Sequence, residues 1–338
     1  VIDACAGSTI TFGDGSGGGG TNFTDGTADT ITLASQITID KNLTIEGTGA
    51  DMIAISGNNL TGVLSIGASV PASIVTISGL MVRDGRRVGV LPSGDFGAGI
   101  RNYANLTILN SAISNNSVIT AGLGGGIANI GNLTLTNSTI SGNFSQTEGG
   151  GLSNSSGASA TITNCTFSGN STGGGGGAIF NNTGAGAITI RNSTITNNTA
   201  GAGGGIYLNA GNLNIGSSIF AGNTGGSGPN LSIFGFGTGT ITSVGYNLIG
   251  NIGATAYTPA VGDQVGTSGT PIDPLLGPLA SNGGRTQTHA LLVGSPAIDK
   301  GINSLALAND QRGAGFARVI DNATANADDG TDIGAYEA

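Results

Sequence analysis

Charge is the first scarcity in this sequence: 10 lysines and arginines and 19 aspartates and glutamates make up only 9 % of 338 residues. With a net charge of −9 the chain offers little to a phosphate backbone, so no nucleic-acid partner is expected. Tryptophan is absent, and histidine, the side chain that most often carries general acid–base chemistry, occurs once, at His289. The two cysteines, Cys5 and Cys165, have no metal-site spacing. Cys165 stands where Ser111, Ser138 and Ser193 stand in neighbouring repeats and reads as a small, partly buried side chain. Pairing it with Cys5 would require the N-terminal segment to touch a distant coil. No apolar run reaches the roughly 18 residues of a membrane-spanning helix, so no membrane span is expected. The opening VIDACAGSTITF has neither a charged n-region nor an apolar h-region, so any signal peptide is expected to be already removed. The near absence of lysine, the two cysteines and the Thr/Asn/Gly-rich surface suit an exported bacterial protein, extracellular or at the cell surface.

Glycine, by contrast, abounds at 65 residues, and it is spaced rather than scattered. The phrase NLTLTNSTISGN (132–143) recurs as NLTILNSAISNN, SATITNCTFSGN, GAITIRNSTITNN and NLNIGSSIFAGN. The last asparagines of these phrases, Asn116, Asn143, Asn170, Asn198 and Asn223, lie 27, 27, 28 and 25 residues apart. Between them runs a second phrase, GAGIRN, GGGIAN, GGGLSN, GGAIFN and GGGIYLN, so the chain has one repeating unit of about 27 residues. That period marks a solenoid or array. Within a repeat the apolar residues alternate in short Thr- and Ile-rich runs, as Leu133 and Leu135 do, and nothing has helical spacing. The fold class predicted is all-β, a parallel β-helix with one coil per repeat, which excludes the helical-repeat arrays.

In chain order, residues 1–30 read as a Gly/Asp-rich lead-in or cap, 31–251 as the β-helix, and 252–338 as a distinct C-terminal capping segment. GDGSGGGG (13–20) is too glycine-rich for a regular strand, and Phe234, Phe236 and Tyr246 suit a plug at the end of the stack. Asn110, Asn137, Asn164 and Asn192 recur at one turn, where stacked amides can pass hydrogen bonds from coil to coil and asparagine tolerates a left-handed backbone. The series stops at Ser217.

The C-terminal segment contains DPLLGPLASNGGRTQTHALLVGSPAIDKG (273–301), NDQRGAGFARVID (309–321) and DGTDIGAYEA (329–338). With the NLTLTNSTISGN and GGGI phrases, these words resemble the bacterial exported right-handed parallel β-helix proteins of the choice-of-anchor Q domain type. That likeness spans nearly the whole chain and implies a right-handed, surface-attached β-solenoid, mostly without an assigned activity. The group often has proline where this chain has Arg285 and Val293, which alters turns and not chemistry.

Three places carry what little chemistry there is. Between Asn102 and Asn223 only Glu148 and Arg191 are charged, so no catalytic residues are expected along the coils. The longer joint Arg83–Arg101 concentrates charge, with Asp84 and Asp95 as the carboxylates that a polysaccharide lyase or hydrolase would need. The C-terminal segment holds His289 near Asp299, Asp310, Arg312 and Asp321, read either as a His/Asp constellation or as polar residues that satisfy loop backbone. Asp321, Asp328, Asp329 and Asp332 offer oxygen ligands for calcium but lack any regular calcium-site spacing; no other cofactor is expected. The function expected is a non-catalytic extracellular structural or adhesive protein, able to join head to tail with copies of itself into filaments. Alternatives are a polysaccharide-active enzyme or a carbohydrate-binding adhesin that meets a surface glycan.

Overall fold

The computed structural model describes residues 4–14, 22–88, 96–155, 157–182, 184, 186–234, 237–320 and 329–338. Among them the strands form three long parallel sheets of nine, eight and ten strands, a short four-stranded parallel sheet at one corner and one antiparallel hairpin. No described residue is helical.

Each coil follows from its phrase. In Asn132–Thr136 the alternation turns Leu133 and Leu135 inward and leaves Asn132 and Thr134 on the surface. Asn137 then takes φ 51°, the left-handed corner that its side chain tolerates, and Thr139–Ser141 starts the second sheet. Leu152–Asn154 supplies the third sheet after the glycine joint. Because successive repeats have nearly equal length, each inward residue stacks on its equivalent. Val75, Leu106, Leu133, Ala160, Ile188 and Leu213 form one such column. Leu64, Ile100, Ile127, Leu152, Ile179 and Ile206 form another. These columns are fully enclosed and build one continuous core.

The corner asparagines behave in two ways. Asn110, Asn137, Asn164 and Asn192 share φ values of 47–51°, and Ser217 continues them at 46°. Asn137 Nδ2 donates to Asn110 Oδ1 at 3.2 Å, but Asn164 and Asn192 turn outward and donate to the carbonyls of Asn309 and Ile302. The continuous ladder instead runs through the repeat-ending residues. Asn116, Asn143, Asn170, Asn198 and Asn223 each donate Nδ2 to the Oδ1 of the next, and the last donates to Asn230. A second buried ladder joins Asn102, Asn129, Asn154 and Asn181. Glycine is required beside the first ladder: a Cβ on Gly126 would stand 2.7 Å from Gly151 O and 3.0 Å from Asn143 Cγ.

The two ends of the chain also enter the stack. Ser8–Thr11, inside the lead-in, pairs with Leu43–Glu46, and Phe12 meets Phe23 edge to face at 5.5 Å; most of GDGSGGGG (15–20) lies outside the described residues. The C-terminal segment, expected as a cap, does two things: its first part adds Gln264–Val265 as the last strand of the second sheet and packs Tyr257 and Val265 against the end of the core, and the rest packs along the flank of that sheet. Thr139 donates to Gln287 O, Thr166 to Gln311 Oε1, and Thr194 accepts from Ala335 N, so the outward hydroxyls of three coils are covered. Phe234 does not plug the end: it joins Tyr207 and Phe180 in a row on the outside of the third sheet. Phe236 lies outside the described residues.

Candidate functional site

The charged joint after Val82 is built as structure. Asp84 occupies the second corner of its coil at φ 52°, the place that Asn115 and Gly142 take in the next coils. Its carboxylate pairs with Arg83 at 3.1 Å and accepts from Ser56 Oγ. Arg101 lies between the rings of Phe96 and Tyr103, at 5.4 and 4.8 Å. Asp95 lies outside the described residues.

His289 meets none of the described aspartates near it in sequence, Asp299 and Asp310. Its Nδ1–H donates to Gly277 O at 2.7 Å, and Nε2 lies 2.9 Å from Ser168 Oγ, far away in the chain. A serine beside a histidine invites a nucleophilic reading. Yet a backbone carbonyl fixes the ring's tautomer without supplying the negative charge that stabilises an imidazolium, and both residues are buried, at 4 % and 2 % exposure. Burial also pushes the imidazole below its usual pKa of 6.5. As the pH drops below that value the unfolded chain takes up a proton that the folded chain refuses, so stability falls with acid. Thermal melts between pH 7.5 and 5 should therefore show a steeper acid fall for the wild type than for His289→Gln. Equal slopes would mean that the ring is not held neutral.

The aspartates of the tail serve the backbone. Asp329 accepts from Asn303 N and Thr331 N, and Asp332 from Asp299 N and Ala338 N. Burial raises the Asp332 carboxyl. Asp321 and Asp328 lie outside the described residues, among which no group of three metal-ligating side chains converges. Cys165 is buried, and its thiol replaces a serine hydroxyl in a third ladder: Ser111, Ser193 and Ser218 accept backbone N–H groups from the preceding coil, and Cys165 Sγ donates to Thr163 O. Burial pushes this thiol up to about 12, which makes it inert, while Cys5 is exposed and unbonded to it.

A feature that spacing alone did not single out lies on the outside of the third sheet. Glu148, Gly175 and Ala202 are successive partners on one edge, and beside them a cavity of about 450 Å³ is walled by Phe180, Tyr207 and Phe234. The Phe180 and Tyr207 rings are parallel within 10° at 5.7 Å, and Phe234 tilts toward Tyr207 at 6.2 Å. Burial raises the Glu148 carboxyl, and burial together with that carboxylate raises the Tyr207 phenol. The signal was present: GGAIFN and GGGIYLN put Phe180 and Tyr207 at one position of the repeat, and Glu148 is the lone carboxylate of five coils.

The sequence profile described as "right handed beta helix region" matches residues 41–224, more than half of the chain. No curated protein and no solved structure matches it. No described helix is long and apolar enough to cross a membrane. The columns of stacked side chains, the one-coil repeat and the matched profile agree, and the chain belongs to the right-handed β-helix family.

Proposed function

We propose that the chain is a non-catalytic structural or adhesive β-solenoid of the cell exterior that joins end to end. The observation that carries this reading is the state of the strand edges. At one end Ser8–Thr11, Asp29–Thr32 and Ile37–Ile39 each pair on one side only; at the other so do Thr240–Ser243, Leu231–Ile233 and Gln264–Val265. Among the described residues no strand pairs with these outer edges, though the Thr255 hydroxyl donates to Leu231 O on one of them. Such edges accept another strand readily. A second copy placing Ser8–Thr11 (STIT) on Thr240–Ser243 (TITS) would extend the same parallel sheet with the same apolar alternation. The contact is heterologous and does not close on itself, so it builds a filament. The likeness of the C-terminal words to exported bacterial proteins supports the location, and the near absence of charge on the coils supports a scaffold rather than an enzyme.

Electron microscopy of concentrated native protein should show filaments. Val261, 76 % exposed on the last rung, can carry a charge without disturbing the core. Val261→Lys should shorten or abolish the filaments while leaving the melting temperature unchanged. Dispersed monomers in the wild type at high concentration would overturn the reading.

A further inference from the structure

We propose that the groove bounded by Glu148, Tyr207 and Phe234 binds a neutral oligosaccharide. Its floor is glycine because the chain packs closely there: a Cβ on Gly174 would stand 1.8 Å from Thr147 O, and one on Gly175 would stand 2.9 Å from Tyr207 Cδ1. Successive partners Glu148, Gly175 and Ala202 lie on three rungs. At about 4.8 Å between rungs the channel is roughly 10 Å long. Its cavity of about 450 Å³ suits a short chain of sugar rings.

The walls select the chemistry. Phe180 is 2 % exposed and lies parallel beneath Tyr207, so it backs that ring and fixes its tilt. Phe234 is 43 % exposed. Aromatic surface of this kind covers the apolar C–H face of a pyranose, and the ordered rings lose little freedom on binding. Glu148 supplies carboxylate oxygens that can only accept, which calls for hydroxyl donors on the ligand. Among the described residues that line the groove there is no lysine, arginine or histidine. An acidic sugar would therefore bring its charge against Glu148 on a chain of net charge −9 with nothing to balance it. A compact cation would also value a carboxylate and rings. However, Phe180 and Tyr207 spend facing surfaces on each other, and the groove is elongated rather than a cage.

The site rests on the adhesive half of the proposed function for its use, but its chemistry is independent of end-to-end assembly. The full native chain is titrated on an array of neutral gluco-, manno- and galacto-oligosaccharides, with oligogalacturonate and tetramethylammonium as separate arms. Binding to at least one neutral series is expected, with none in the other two arms. Tyr207→Ala and Phe234→Ala should each weaken it about tenfold or more, and Glu148→Gln several-fold. Phe234→Ala, at an exposed position, keeps the test valid if Tyr207→Ala fails to fold. No neutral sugar bound at about 1 mM, affinity unchanged in Phe234→Ala and Glu148→Gln, or preference for either charged arm would each overturn the proposal. Filaments that form but bind no sugar would sink this site and leave the scaffold reading standing.

Discussion

Asn143→Ala should destabilise the protein by about 3–5 kcal/mol, far more than Asn137→Ala in the same coil. The Asn143 side chain is fully buried and makes four hydrogen bonds. Its Oδ1 accepts from Asn116 N and Asn116 Nδ2, both at 3.0 Å, and its Nδ2 donates to Ile113 O and Asn170 Oδ1, both at 2.9 Å. Truncation strands two donors and one carbonyl where water does not reach, each costing about 1–3 kcal/mol, and it cuts a ladder whose members polarise one another. Partial relaxation keeps the total below the simple sum. Asn137 has one exposed amide contact at 3.2 Å, so Asn137→Ala should cost about 1 kcal/mol, most of it from placing alanine at φ 51°. Chemical denaturation of the two variants beside the wild type measures the difference. Equal midpoints would show that the interior ladder does not hold the coils together.

That contrast also separates what the repeat carries openly from what it does not. Period and alternation sufficed for the coils, because every inward residue of Asn132–Thr136 and Thr139–Ser141 repeats in kind one rung away. They did not separate the two asparagine series, since Asn137 and Asn143 share one period and period is blind to which side chain points inward. The discriminating mark was glycine: Gly99, Gly126 and Gly151 leave room for Asn116, Asn143 and Asn170, whereas nothing comparable flanks Asn137. The C-terminal segment was legible as a separate unit but not in its placement. Its contacts join residues such as Thr166 and Gln311, 145 apart, with no repeat to fix their register. The same long range hid the Ser168–His289 pair. The groove was half legible, as Phe180 and Tyr207 align in the repeat while Phe234 falls where the period fades.

The flanking segment should depend on Arg318 more than on any other charged side chain. Arg318 is wholly enclosed, donates Nη2 to Asp332 O and Gly334 O at 2.8 Å each, and sets Nε 3.9 Å from Glu337 Oε2. It thus holds the tail 329–338 against the rest of the segment. Arg318→Met fills much of the same volume but leaves two buried carbonyls unpaired, at about 3 kcal/mol near pH 5. The cost should grow with pH. Burial pushes Glu337 up to about 8 from an ordinary 4.5 even with Arg318 lowering it, so the folded carboxyl keeps its proton where the unfolded one has lost it. Stability from this group is present in full below about 4.5 and is lost as pH rises through 8. Without Arg318 the folded pKa climbs further, and the loss continues to higher pH. Limited proteolysis and melts at pH 5 and 8.5 should find the tail cleaved first in Arg318→Met, with the wider gap from wild type at pH 8.5. In Arg318→Met/Glu337→Gln that widening should shrink, because the Glu337 titration is gone and only the buried Asp332 carboxyl, which Arg318 also lowers, still responds. A gap independent of pH in the single variant would mean that Arg318 acts on the carbonyls alone and that Glu337 is not held protonated by its burial.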